Sequence, residues 1–208
     1  MILHTVPRFF QMLYPERIWK KSVDDNTIYL TFDDGPVPGV TDYVLQELAK
    51  RNQQATFFVV GDNVRKNPTL AHEIIKAGHK LGNHTFNHIN GWKTVDPDYL
   101  ENIELCDKTL QDVLSIKTKI FRPPYGLIKS NQSVEVSKFY DIVMWTMLSG
   151  DYDQRIEPEV VLRKSIKHTR VGSIAVFHDQ LKTKALLPKI LPSYLDYIQE
   201  MGWKTGLL

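Results

Sequence analysis

Apolar, β-branched stretches alternate with stretches of helical period along most of the chain. Six of them predict strands: 27 to 32, 55 to 60, 79 to 83, 118 to 122, 140 to 145 and 173 to 177, with a short seventh after Trp203. Amphipathic helices are predicted between them at about 40 to 51, 68 to 77, 97 to 115, 158 to 169 and 185 to 201. This alternation is typical of βα units around a mainly parallel sheet.

One domain accounts for the whole chain. Its 208 residues suffice for one sizeable core, and no linker, internal repeat or low-complexity tract divides them. We therefore expect a single domain over residues 1 to 208, in which residues 1 to 26 form an irregular or helical N-terminal cap. Residues 27 to 208 would form an α/β barrel or a doubly wound sheet.

Charge and hydropathy exclude several classes of partner. The 26 basic and 24 acidic residues leave a formal charge of +2, a field too weak to favour nucleic acid or an anionic membrane. No stretch is long and apolar enough for a membrane span, so we expect no integral membrane contact. The N-terminal residues lack the unbroken apolar core of a secretory signal, which favours a cytoplasmic location.

Polar residues of the kinds used in catalysis follow the predicted strands. In chain order they are Asp33, Asp34, His84, His88, Arg122, Asp151 and His178. In parallel α/β folds the carboxyl ends of the strands meet at one edge, which is where sites are built. The sequence therefore predicts one site that gathers these side chains.

The adjacent carboxylates of Asp33 and Asp34 repel unless each has its own partner. The Gly-Pro that follows ends the strand and lets both acids face one cavity. A cation on one acid and an arginine beside the other would offset the repulsion. His84 and His88 have the spacing of two residues on one face of a helical turn, and with Asp34 they make a three-ligand metal set with an open position.

Arg122 and His178 are the candidate partners at the same edge. Taken alone, Arg122 in "RPPYG" would fit a surface turn with an exposed arginine better than a site residue. Without the other residues at this edge, His178 would better fit a buried structural histidine. Burial lowers the pKa of such a histidine unless a nearby acid restores it. Asp151 is the acid that we expect to pair with His178. Their shared strand edge favours roles in the site for all three.

The motifs that carry these residues resemble the polysaccharide deacetylases of carbohydrate esterase family four. "TFDDGP", "HTFNH", "RPPYG" and "VFH" follow one another in the family order between residues 31 and 178. The resemblance implies an α/β fold, a distorted (β/α)7 barrel with mainly parallel strands. It also implies one divalent metal ion, commonly Zn²⁺ with Co²⁺, Ni²⁺ or Mn²⁺ as alternatives, and hydrolysis of N-acetyl or O-acetyl groups on a carbohydrate substrate.

The resemblance further implies a role for each residue. Asp34, His84 and His88 would hold the metal. The catalytic residues would be the general base Asp33, its partner Arg122, the general acid His178, that acid's partner Asp151, and Tyr125, whose backbone amide would stabilise an oxyanion. Tyr125, Tyr152 and Trp145 would contact the substrate.

Two departures from the family pattern bear on substrate preference. The family's Asp-x-x-Asp-Trp is replaced by "LSGDY", so that Leu148 takes the place of the first acid and Tyr152 that of the tryptophan. Val176 stands where leucine is usual, a mild loss of volume. Asp151 is kept, so these changes put in question which sugar is accepted and leave the core chemistry intact.

Several alternatives are compatible with these motifs. The substrate could be peptidoglycan, chitin oligomers, acetylated xylan or an internal acetylated sugar, and wall polymers conflict with the missing export signal. A degenerate barrel that only binds carbohydrate, or an amide hydrolase acting on a small non-polymeric substrate, would also fit. A haloacid-dehalogenase-type phosphatase needs Asp-x-Asp, which the chain lacks at this strand. The sequence does not specify an oligomeric state.

Overall fold

The structure is a computed structural model that describes residues 4 to 21 and 25 to 208. Its strands are β1 Thr27–Asp33, β2 Thr56–Val59, β3 Lys80–Asn83, β4 Ile120–Phe121, β5 Asp141–Ile142, β6 Met147–Leu148, β7 Ile174–His178 and β8 Lys204–Thr205. Its α-helices are α1 Arg8–Leu13, α2 Thr41–Lys50, α3 Gly61–Lys66, α4 Pro68–Lys76, α5 Asp96–Leu114, α6 Ser130–Ser137, α7 Pro158–His168 and α8 Leu187–Glu200. Two 3₁₀ turns lie at Pro124–Gly126 and Leu181–Thr183.

The first seven strands form one curled, parallel sheet in the order β5-β4-β3-β2-β1-β7-β6. The eighth strand adds to the first residues of β1, also in parallel. Helices cover the outer face of the sheet. The predicted (β/α)7 barrel with mainly parallel strands is confirmed, and its carboxyl edge is the edge that gathers the candidate residues.

Burial of β1 on both faces explains its place at the centre of the sheet. Ile28, Leu30 and Phe32 on one face and Thr31 on the other have no exposed surface, and Phe32 stacks on Phe57 of β2 with ring centroids 5.2 Å apart. A strand buried on both faces reads as a nearly continuous apolar run, as parallel strands do. The C-terminal helix α8 packs its apolar face, including Tyr194, on the same core.

The structure divides the stretch predicted as one strand at 140 to 145. It forms β5 at Asp141–Ile142, and the chain joins the sheet again only at Met147–Leu148. Between them, the Met144 amide donates to the carbonyl of Ile18, outside the sheet. The apolar pattern also does not predict α3 and α6, because their sequences "GDNVRK" and "SNQSVEVS" carry few apolar residues to mark a buried face.

The N-terminal segment, residues 4 to 21, lies across the gap between the two outer strands of the sheet. It bridges Thr5 to Met147 on β6, Ile18 to Val143 just after β5, and Lys20 to Ser173 just before β7. Trp19 is buried in a cluster with α5, β4 and α6. The segment therefore supplies the backbone hydrogen bonds that β5 and β6 do not make to each other. Within the described ranges, no helix has both the length and the apolarity to cross a bilayer.

If the N-terminal segment belongs to the single folding unit, Trp19→Ala should lower the free energy of unfolding by about 3 kcal/mol, as removal of a buried aromatic ring does. Its side chain is 8% exposed and its indole nitrogen donates to the Tyr14 carbonyl at 2.9 Å. Phe9, which is 66% exposed, is the control, and Phe9→Ala should cost about 0.5 kcal/mol or less. Urea unfolding would measure both. Equal values for the two variants would show that the segment is not part of the cooperative unit.

Candidate active site

The strand register places the candidate residues around one cavity. Asp33, the last residue of β1, pairs with Phe58 of β2 on one side and with His178 of β7 on the other. Arg122 follows β4 directly, and its amide donates to the Asn83 carbonyl at the end of β3. The cavity at this edge has a volume of about 640 Å³. Parallel pairing therefore brings residues that are far apart in sequence to one edge, as predicted.

Asp33 and Arg122 form an ion pair at the floor of this cavity. Nη1 of Arg122 lies 2.6 Å from Oδ1 of Asp33 and also donates to the Thr31 hydroxyl at 2.7 Å. The guanidinium has no exposed surface, and its remaining nitrogens donate to the carbonyls of Val143 and Met144. Burial lowers the pKa of Arg122 and the Asp33 charge raises it. The alternative of an exposed arginine in a surface turn is wrong.

Asp34, His84 and His88 converge with one donor atom each within 4.8 Å of the others. Oδ1 of Asp34 lies 2.9 Å from Nε2 of His88 and 3.5 Å from Nε2 of His84. Although burial raises the pKa of Asp34, the two imidazoles hold it well below its usual value. This is the donor set predicted from the spacing of the motifs.

The hydrogen bonding of His84 tests whether these residues fit a metal ion. Nδ1 of His84 lies 2.6 Å from the carbonyl of Arg122, which can only accept, so Nδ1 carries the proton. In the neutral ring Nε2 then presents a lone pair toward the Asp34 carboxylate. Oδ1 of Asp34 is buried and makes no hydrogen bond of good geometry. Two hydrogen-bond acceptors that face each other repel unless a cation lies between them. These residues therefore fit a divalent ion held by one carboxylate and two imidazoles.

The two histidines lie in an irregular loop, so the predicted helical turn is wrong. Thr85 and His88 both have positive φ, at 63° and 55°, which turns the chain back on itself. The side chain of Asn102 on α5 accepts from the amides of Phe86 and Asn87 and fixes the loop. The pair converges because this loop is folded, and the four-residue spacing alone could not show that.

His178 forms a buried pair with Asp151 on the opposite side of the cavity. Nδ1 of His178 lies 2.7 Å from Oδ1 of Asp151, and the His178 amide donates to Oδ2 at 2.8 Å. The Ser149 hydroxyl donates to Oδ1 as well. Burial lowers the pKa of His178, but the Asp151 carboxylate outweighs burial and raises the pKa to about 9. The predicted pairing is present, and the raised pKa favours the protonated form of His178 in the absence of a metal.

Aromatic side chains form the walls near the two histidine groups. The Tyr125 ring lies 4.7 Å from that of His88, and the Tyr152 ring lies edge-on to His178 at 5.0 Å. Trp145 lines the cavity and packs so closely on Gly126 that a Cβ there would lie 2.6 Å from the indole. All three predicted substrate contacts therefore face the cavity.

The structure adds Asp179, which the sequence analysis does not assign. It lies next to His178, has no exposed surface, and accepts hydrogen bonds from the Gly35 amide and the Thr41 hydroxyl. Burial raises its pKa to about 7, and the charge of Asp34 adds to this rise. An acid directly after a candidate histidine is the one signal in the sequence that could have marked it.

Comparison with known proteins connects this geometry to a family. The family model described as polysaccharide deacetylase matches residues 20 to 145. The chain belongs to the polysaccharide deacetylase family. It is 33% identical to a peptidoglycan-N-acetylglucosamine deacetylase from Bacillus cereus over 84% of each chain. It is also 32% identical to the peptidoglycan-N-acetylglucosamine deacetylase PgdA from Listeria monocytogenes, of which it spans 35%.

Solved structures of this deacetylase family share the fold over nearly the whole chain. A peptidoglycan N-acetylglucosamine deacetylase in complex with a substituted benzamide superposes with a TM-score of 0.85 at 26% identity, over 98% of this chain and 95% of that one. A family pseudoenzyme from Bacillus anthracis superposes with a TM-score of 0.80 at 25% identity, over 92% of this chain and 67% of that one. A member of this family can therefore lack activity, so activity has to be inferred from the residues of the site.

We predict that Asp151 sets the protonation of His178. In the metal-free protein the His178 imidazole should titrate near pH 9, so the imidazolium is present below that pH and is lost as the pH rises through it. In Asp151→Asn the pKa of His178 should fall well below that value, because burial then outweighs the charges of Asp34 and Asp33. NMR titration of the histidine ring protons would measure both values. Asp153→Asn, which removes a carboxylate paired with Arg155, is the matched control and should leave the His178 titration unchanged. Equal His178 values in the Asp151 variant and the wild type would contradict the assignment.

Proposed function

We propose that this protein is a metal-dependent deacetylase that hydrolyses the acetamido group of an N-acetylated sugar in a polysaccharide. The observation that carries the proposal is the division of partners between the adjacent acids. Asp33 pairs with Arg122, whereas Asp34 faces His84 and His88. One acid is thereby available as a base and the other as a ligand. Membership of the polysaccharide deacetylase family supports the same reaction.

The residues around the cavity account for each proton transfer. When bound by Asp34, His84 and His88, a divalent ion supplies a Lewis acid that polarises the acetyl carbonyl and lowers the pKa of a water molecule. Asp33, held in place by Arg122, accepts the proton of the water as its oxygen bonds to the carbonyl carbon. His178 then donates its proton to the sugar nitrogen as the carbon–nitrogen bond breaks, which yields acetate and the free amine.

The charge on His178 matters for the second half of this reaction. An amide nitrogen is a poor leaving group unless it is protonated, so the general acid must hold a proton at the working pH. The buried Asp151 carboxylate supplies that condition. A nearby divalent cation would lower the pKa of His178 from its metal-free value, because like charges disfavour the imidazolium. The Asp151 carboxylate opposes this lowering and so favours the protonated acid when the metal is present.

The roles of the two acids can be separated with matched variants. Asp34→Asn should lose most of its bound zinc, because a carboxylate ligand is removed. Asp33→Asn should keep the zinc and lose about 100-fold or more in kcat, as removal of a general base does. Acetate release from N-acetylglucosamine oligomers and the metal content per chain would be measured together for both variants.

Three outcomes would contradict this assignment. Loss of metal from both variants alike would contradict the assignment of Asp34 as the ligand and Asp33 as the base. Near-normal turnover of Asp33→Asn would remove the general base. Zinc bound at one equivalent by the wild type, with no acetate released from chitin or peptidoglycan oligomers, would favour a barrel that only binds carbohydrate.

Peptidoglycan is the substrate that we propose. Several relatives matched over most of this chain are peptidoglycan deacetylases, named for N-acetylglucosamine in Bacillus cereus and for N-acetylmuramic acid in Bacillus subtilis PdaC, whereas another is a chitooligosaccharide deacetylase. The mouth of the cavity also carries the exposed Lys182. The 3₁₀ turn that holds Lys182 is tied to the general acid, because the Thr183 hydroxyl donates to the His178 carbonyl at 2.7 Å. A cation beside the sugar whose nitrogen leaves suits a glycan that bears carboxylates, and chitin bears none.

Lys182→Ala should therefore lower kcat/KM about fivefold on a muramic acid-containing tetrasaccharide with free lactyl carboxylates, the size expected for one exposed ion pair. It should leave kcat/KM on N-acetylglucosamine tetramer unchanged. Lys184→Ala is the control, because Lys184 lies two residues away and does not line the cavity. Both assays would be run at low and high salt, and the difference should shrink at high salt. Equal losses of kcat/KM on both substrates would contradict the recognition of substrate carboxylates by Lys182.

A further inference from the structure

Asp34, the carboxylate of the candidate metal site, has an unusual backbone conformation. Its φ is +84°, in the left-handed region that non-glycine residues rarely occupy. This turn directs Asp34 into the same cavity as Asp33, whereas two successive residues of a regular strand would point to opposite faces. Such conformations persist only where the surrounding structure holds them. The ligand position therefore depends on what holds the residues on either side of Asp34.

Asp179 holds both of those residues. Its backbone amide donates to the carbonyl of Asp33 at 3.0 Å. Its Oδ1 accepts from the amide of Gly35, also at 3.0 Å. The residue that directly follows β7 thus contacts the peptide groups immediately before and after the ligand. On the other side, the Asp34 carbonyl accepts from the side chain of Asn63 at 2.7 Å.

The carboxylate of Asp179 is itself fixed at both oxygens. Oδ2 accepts a 2.6 Å hydrogen bond from the Thr41 hydroxyl, which in turn accepts from the Val37 amide at 2.8 Å. The side chains of Asp179 and Thr41 are fully buried. Because both oxygens have a donor, the carboxylate has one orientation and cannot turn away from Gly35.

The contact between Asp179 and Gly35 leaves no room for a side chain. A Cβ on residue 35 would lie 2.0 Å from Oδ2 of Asp179. Gly35 does not have a positive φ, so the requirement for glycine comes from this close approach and not from backbone conformation. Gly35 of "DDGP" and Asp179 of "FHD" therefore form one close contact that requires both residues.

We propose that Asp179 is a positioning residue of the metal site, which sets metal affinity by holding Asp34 in its ligating conformation. The proposal rests on the proposed function only in that Asp34 ligates a metal. Asp179 itself touches neither the metal nor the substrate. Its loss should release the turn at residues 33 to 35 and allow Asp34 to leave the left-handed region, so that the ligand must be reordered each time a metal binds.

The test is zinc affinity of the metal-stripped full chain, measured by competition with a chromophoric chelator. Asp179→Ala should bind zinc about 10- to 100-fold more weakly, the range for loss of a residue that orients a ligand. Asp179→Asn should recover most of the affinity, because its side-chain oxygen can still accept from Gly35. Asp96→Asn is the matched control: Asp96 also accepts from two side chains, Lys129 and Gln132, but lies outside the cavity. Its zinc affinity should equal that of the wild type.

A second variant covers the case in which Asp179→Ala does not fold. Thr41→Val keeps the volume of the side chain but frees Oδ2 of Asp179, and it should weaken zinc binding several-fold. Wild-type affinity in folded Asp179→Ala, or in Thr41→Val where only that variant folds, would overturn the proposal while leaving the proposed function intact. Failure of the wild type to bind zinc would instead remove the metal from the proposed function, and this proposal with it.

Discussion

The ion pair between Asp33 and Arg122 is the constraint on which the site depends. A guanidinium without exposed surface is stable only if its charge and its hydrogen-bond donors are all satisfied. Asp33 supplies the charge, and carbonyls of the chain after β5 supply much of the rest. The Phe58 ring lies 4.0 Å from the guanidinium carbon and covers one of its faces. Removal of either charge would leave the other buried and unpaired.

The other acids close to the site also have partners that stabilise them. Asp33 is balanced by Arg122, Asp34 faces two imidazoles, and Asp151 is balanced by His178. Among residues 4 to 21 and 25 to 208, no cation pairs with Asp179, which accepts hydrogen bonds from Gly35 and Thr41 instead and has a raised pKa. Four carboxyl groups therefore lie close together without a large net field, because three of them have separate basic partners.

The sequence predicts the fold class and the shared strand edge because both follow from patterns that lie along the chain. Alternating apolar strands and helices specify the parallel barrel, and parallel strands bring their ends together. The sequence does not predict the loop that brings His84 to His88, since that loop depends on Asn102 from a helix beyond it. The sequence does not predict the role of Asp179 either, because its partners Gly35 and Thr41 are distant in sequence.

The N-terminal segment bonds to residues that lie far along the chain. Thr5, Ile18 and Lys20 bond to Met147, Val143 and Ser173, so these bonds cannot form until the chain as far as β7 is available. These contacts are among the least local in the molecule, and non-local contacts form late because their loops must close first. Until then the outer strands β5 and β6 expose unpaired backbone groups, which makes the nascent chain vulnerable to edge-to-edge association.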